Sequence, residues 1–159
     1  METVGIYIKP YLAEYIKEKW GGVDGVISIP SEIYLYHIFW SLLIKQPLGI
    51  DISKGNIKIY IPDRKDNIGK RKNPQYYNHV SKNGQLVFQK RLETFFRAEL
   101  HEFIDSAKHN EGISYKDACF HFLAMYNIQS IDSDSLIKNY SRWKRLIRGN
   151  KSSKTYVSS

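Results

Sequence analysis

The chain has 159 residues, a formal net charge of +8, and 42% apolar and 14% aromatic residues. That is enough for one folded domain or two small ones, and too apolar for a disordered chain. A single cysteine, Cys119, excludes an internal disulfide framework, and no apolar run approaches the roughly 18 residues of a membrane span.

From the amino terminus, Val4, Ile6 and Ile8 alternate and predict a short strand. Pro10 opens a helix whose Leu12, Ile16 and Trp20 share a face, and Gly21-Gly22 ends it. Val26 to Ile29 reads as a second strand. Ser31 is the expected N-cap of a helix carrying Leu35, Ile38, Phe39, Leu42 and Leu43 inward, closed by Pro47. Ile57, Ile59 and Ile61 alternate with Lys58 and Tyr60, a third strand with one wet face. Residues 64–75 form a basic loop, Tyr76 to Ser81 is expected to pair back on the third strand, and Lys82-Asn83-Gly84 reads as a turn.

The second half reads as helical. A long helix from Gln85 to about His109 carries Phe88, Leu92, Phe95, Phe96, Phe103 and Ile104 on its apolar stripe. Lys90 and Arg91 lie in its first half and Glu99, Glu102 and Asp105 in its second, which opposes the helix dipole. Ser114 caps the next helix, with Ala118, Phe122, Met125 and Tyr126 inward and Asn127 as a left-handed terminator. Asp132 or Ser133 caps a last helix with Leu136, Tyr140, Trp143 and Ile147 on one stripe, ending at Arg148 before Gly149. The expected fold class is α+β: a small N-terminal three- to four-stranded sheet with covering helices, a long helix and a C-terminal helix pair. The expected division is an α/β scaffold over 1–84, a helical nucleic-acid-binding part over 85–149, and a disordered tail over 150–159.

Positive charge is segregated along this order. Ile57 to Arg91 holds nine basic and two acidic residues, and Ser135 to Ser159 holds seven basic residues and no acid. A surface charged only for solubility mixes signs, so two basic blocks point to an anionic polymer. In the second block Lys138, Arg142, Lys144, Arg145 and Arg148 lie on the last helix, where a helix pair with a basic outer face would suit a DNA major groove, with Asn139 and Ser141 reading bases. An ordinary amphipathic helix with a solvated face explains Arg145 and Arg148 through the dipole, but not the absence of any acid after Asp134. In the first block Arg64, Lys65, Lys70, Arg71 and Lys72 would contact phosphates, with Tyr76 and Tyr77 stacking on bases. A solvated loop beside two packed tyrosines is the plainer account.

Catalytic patterns are weak. Cys119 and His121 have no second ligand pair for zinc, and Gly21-Gly22 and Gly25 lack the residues of a phosphate loop. Glu99, His101, Glu102 and Asp105 would serve a metal-dependent nuclease, yet at helical spacing such a cluster is usually a solvated face. No catalytic residue, metal or cofactor is expected, and the chain is expected not to be an enzyme.

Ala118 to Arg148, with Phe-x-Phe-Leu-x-x-Tyr-Asn-Ile and Leu-Ile-Lys-x-Tyr-x-Arg-Trp-Lys-Arg, resembles the terminal helix pair of small basic proteins from prophages and mobile elements. That resemblance implies a cytoplasmic DNA-binding regulator or accessory factor, and it transfers no catalytic residue. Duplex DNA is favoured over RNA as partner, with no membrane, and monomer and homodimer both stay open. The alternatives are an RNA or single-strand binder using the tyrosines, and a protein-interaction module using the acidic half of the long helix. The sole cysteine, and an amino terminus without a basic-then-apolar layout, give the expectation of a cytoplasmic location.

Overall fold

The computed structural model describes residues 2–64 and 71–157, with the side chains of 150–157 left aside. The fold is α+β. Among the described residues it comprises β1 (Thr3–Ile6), α1 (Pro10–Trp20), α2 (Tyr34–Leu42), β2 (Ile44–Lys45), β3 (Ile57–Tyr60), β4 (Tyr77–His79), α3 (Lys82–Glu111), α4 (Tyr115–Met125) and α5 (Ser133–Val157). The chain divides into two compact units, Met1–Phe96 and Arg97–Ser159, with the boundary inside α3. No helix of the described residues is long and apolar enough to cross a membrane.

The strands of the first unit form two antiparallel pairs, β1 with β3 and β2 with β4. In the first pair Val4 faces Ile59 and Ile6 faces Ile57, and all four side chains are buried. Gly5 between them is required: a Cβ there would lie 2.5 Å from the Lys54 carbonyl oxygen. The expected strand at Val26–Ile29 shrinks to one residue. Ile27 bridges Gly21 on one side and Ile59 on the other, and Pro30, which has no N–H, follows too soon for a ladder to extend.

Tyr76 to Ser81 pairs with β2 rather than with β3. Ile44 faces His79, Lys45 faces Tyr77, and the Gln46 N–H donates to the Tyr76 carbonyl at 2.8 Å. The partner strand has only two residues, both exposed, so no alternation announces it. The helix expected from Ser31 starts at Tyr34, with Ile33 at its N-cap and no side-chain cap. Lys82-Asn83-Gly84 is not a turn but the opening of α3. Ser81 caps it, its hydroxyl accepting from the Gly84 N–H at 3.0 Å.

Aromatic packing dominates the first unit's core. Phe39 meets Phe88 with ring centroids 6.0 Å apart, and Tyr11 and Tyr15 meet Phe96 edge-on at 5.3 and 5.0 Å. Glu93 accepts from Lys9 at 2.7 Å and from the Tyr11 hydroxyl at 2.9 Å, which ties α1 to this half of α3.

In the second unit Leu100, Ile104 and Ala107 of α3 are buried together with Ala118, Cys119 and Phe122 of α4 and Leu136 and Tyr140 of α5. Met125, expected inward, is 48% exposed. Ser114 caps α4, its hydroxyl accepting from the Asp117 N–H at 3.2 Å, and Asn127 has φ 48° at the end of that helix. Asp132 caps α5, accepting from the Ser135 N–H at 2.8 Å, and this bond holds its carboxyl below the usual range. The expected end at Gly149 is passed: α5 continues to Val157. Glycine inside a helix costs about 1 kcal/mol but does not stop it.

Two carboxylates explain the inverted charge order of α3. The Tyr126 hydroxyl donates to Glu99 at 2.9 Å, and the Tyr140 hydroxyl donates to Asp105. The acids in the second half of α3 are thus placed to receive tyrosines from the C-terminal pair, which outweighs a few tenths of a kcal/mol of dipole penalty each.

Candidate nucleic-acid interface

The loop block is largely occupied by structural work within the first unit. The Arg64 guanidinium lies 4.7 Å from the Trp40 ring and 5.2 Å from the Tyr36 ring, and donates to His37 Nδ1 at 2.9 Å. His37 itself is exposed. Arg71 forms a two-pronged pair with Asp63, its Nε at 2.7 Å from Oδ1 and a second bond to Oδ2, and this partner raises the guanidinium pKa further.

Lys72 is committed most firmly. Its Nζ donates to the carbonyls of Trp40, Ser41 and Leu43 at 3.0, 3.3 and 2.9 Å and stands 4.6 Å from the Trp40 ring. A lysine here satisfies carbonyls left open at the end of α2 and meets the negative end of its dipole. Lys65 and Lys70 lie outside the described residues. Tyr76 is 61% exposed beside an open groove lined by Lys45, Gln46, Gln75 and Tyr77.

The helical block behaves differently. Lys138, Arg142 and Arg145 are exposed and make no hydrogen bond or ion pair with the described residues. At about 100° per residue they fall within an arc of about 60°, roughly opposite the stripe of Leu136, Tyr140, Trp143 and Ile147. The sequence places them one and two turns apart because burial of that stripe fixes the rotation of α5. Arg148 is also exposed, at the side of this arc. Lys144 turns toward the stripe instead, donating to the Tyr115 hydroxyl at 3.2 Å with its Nζ 5.1 Å from the Tyr140 ring.

Asn139, expected to read bases, is turned inward. Its Oδ1 lies 2.9 Å from Nε2 of His101, which is itself stacked on Trp143 at 4.4 Å. Burial lowers the His101 pKa, against opposing pulls from Asn139 and Asp105. Tyr140, buried and bonded to Asp105, is pushed up to about 12. Among the described residues no group of three metal-ligating side chains assembles, and two of the three acids of the suspected α3 cluster are held by tyrosines. Glu102 stays exposed.

Sequence reasoning missed the cluster of Lys108, Tyr115 and Lys144. Tyr115 and Lys108 come from the ends of two helices, and no spacing rule joins them to Lys144. Lys108 Nζ lies 3.9 Å from the centroid of the Tyr115 ring, and the two ammonium groups lower the Tyr115 pKa, Lys144 more than Lys108.

Comparison with known proteins gives no match: no family model fits the chain, and no curated protein or solved structure is significantly similar to it.

Proposed function

We propose that the chain is a non-enzymatic duplex-DNA-binding protein that docks the outer face of α5 in a major groove. One observation carries the reading: Lys138, Arg142 and Arg145 line the helix face opposite its apolar stripe, are exposed, and make no hydrogen bond or ion pair with the described residues. Three cations on one face with no acid after Asp134 attract a polyanion and repel each other in its absence. Their span of about 10 Å along the axis suits a major groove about 12 Å wide, which admits one α-helix. Arg142 lies between Lys138 and Arg145 along the helix axis and is the candidate for a guanine edge, with Lys138, Arg145 and Arg148 on phosphates.

The connection between α4 and α5, residues 126–132, is longer than the usual turn of a helix-turn-helix, so the reading rests on the exposed face rather than on that motif. A role as regulator or accessory factor of a mobile element is supported by the resemblance of Ala118–Arg148. Single-strand binding is a second reading, with exposed Tyr76 beside its groove in its favour.

Selection from a random duplex library tests the proposal. Wild type is expected to enrich a motif, and Arg142→Ala to lose preference at one base position with a cost of about 1–3 kcal/mol on the preferred site. Failure to retain any duplex while retaining single strands would overturn it.

A further inference from the structure

The cluster at the α3–α4 junction has no part in the exposed face of α5. Lys108 stands near the C-terminal end of α3, Tyr115 is the first residue of α4, and Lys144 is in the middle of α5. All three belong to the second unit. Lys144 Nζ donates to the Tyr115 hydroxyl at 3.2 Å and lies 5.3 Å from its ring centroid, while Lys108 Nζ lies 3.9 Å from that centroid. Two ammonium groups therefore converge on one phenol.

No carboxylate pairs directly with either lysine among the described residues. Asp105, three residues before Lys108 on α3, is engaged by the Tyr140 hydroxyl. Two ammonium groups without a direct carboxylate partner leave a positive cluster, and like charges held together repel unless an anion joins them. The parts present are those that bind a tetrahedral oxyanion: two point-charge donors and a hydroxyl gathered on one tyrosine, at the residue where the positive end of α4 begins. Tyr115 is half-buried, and its ring, 5.1 Å from that of Tyr140, fixes where the hydroxyl sits. The same two lysines, Lys144 first and then Lys108, lower the Tyr115 pKa.

We infer that Lys108, Lys144 and Tyr115 form a binding site for one phosphate group, coordinated by both ammonium groups and the phenol hydroxyl. The phosphate is a backbone phosphodiester or a free phosphate or phosphomonoester. In the first form the site supplies an anchor beside the α5 face and rests on the duplex-binding reading; in the second it stands without it. Arg148, one turn beyond Lys144 on α5, is placed to extend the contact along a backbone.

The test uses the full chain and two probes. Inorganic phosphate is titrated against chloride at constant ionic strength, with the ring signals of Tyr115 followed by NMR in wild type, Lys108→Met, Lys144→Met and the double variant. Methionine keeps the aliphatic stem and removes the charge, and near-ultraviolet circular dichroism checks that each variant is folded. Tyr115→Phe identifies the ring signals. In parallel, affinity for a labelled duplex is measured against salt.

Saturable movement of the Tyr115 signals with phosphate, lost in the double variant, is the expected result. If the site holds a backbone phosphate, the duplex salt slope also falls by about 0.9 in the double variant. An unchanged slope with the phosphate response intact assigns the site to a free phosphate or monoester. Movement equal to that in chloride, or equal in the double variant, overturns the inference. The variant K138A/R142A/R145A separates the two readings: it is expected to lose duplex binding and keep the phosphate response.

Discussion

Replacing Lys72 by Met distinguishes a structural lysine from a phosphate contact. The ammonium group donates to three carbonyls at the end of α2 and stands 4.6 Å from Trp40. A hydrogen bond from a charged donor contributes about 1.5–3 kcal/mol when buried. The dipole adds about 0.3–1 kcal/mol and the ring about 0.5–1 kcal/mol. Lys72 is only half-buried and ordering its long side chain costs up to about 2 kcal/mol, so the net loss is about 2 kcal/mol. Urea unfolding is expected to show that loss, equivalent to about 4–8 °C in Tm. The salt slope of duplex binding should not change. A variant as stable as wild type, with a slope reduced by about 0.9, would refute the capping account and return the loop to the interface.

Tyr140→Phe keeps the ring and removes the hydroxyl that donates to Asp105. A loss of about 1–2 kcal/mol is expected from chemical unfolding, with Asp105→Asn falling short of the same loss because an amide still accepts. His101 predicts a pH dependence. Burial lowers its folded pKa below the ordinary 6.5, so the unfolded chain binds more protons in the window beneath 6.5. Its contribution is therefore fully present above that value and declines as pH falls toward the folded pKa. Stability measured from pH 7.5 to pH 5.5 should fall more steeply in wild type than in His101→Gln. Parallel curves would show that His101 is not held neutral.

The helices were legible because each buries a stripe at three-four spacing: Leu12 and Ile16, Leu35 and Phe39, Phe88 and Leu92, Leu136 and Tyr140. The strand order was less legible. A two-residue strand such as Ile44–Lys45 has no period, and pairing partners are chosen by where the chain emerges from α2. Charge blocks on their own did not separate working lysines from structural ones. Lys72 and Arg142 look alike in sequence, and differ because carbonyls at the end of α2 surround the first while the second projects away from a buried stripe. Asn139 was misplaced for the same reason: its helix position lies at the edge of the stripe, and only the partner His101, far away in sequence, turns it inward.

The central claim is that α5 binds duplex DNA through Lys138, Arg142 and Arg145. The most direct measurement is fluorescence anisotropy of a labelled duplex across a salt series, for wild type and K138A/R142A/R145A. Exposed substitutions of this kind change stability by only about 0.5 kcal/mol or less each, so both proteins are expected to be folded. Wild type should bind with a steep fall of log affinity on log salt, and the variant should bind far more weakly, with the slope smaller by about 1.8 for the phosphate contacts of Lys138 and Arg145. Equal affinity and an equal slope in the two proteins would contradict the account.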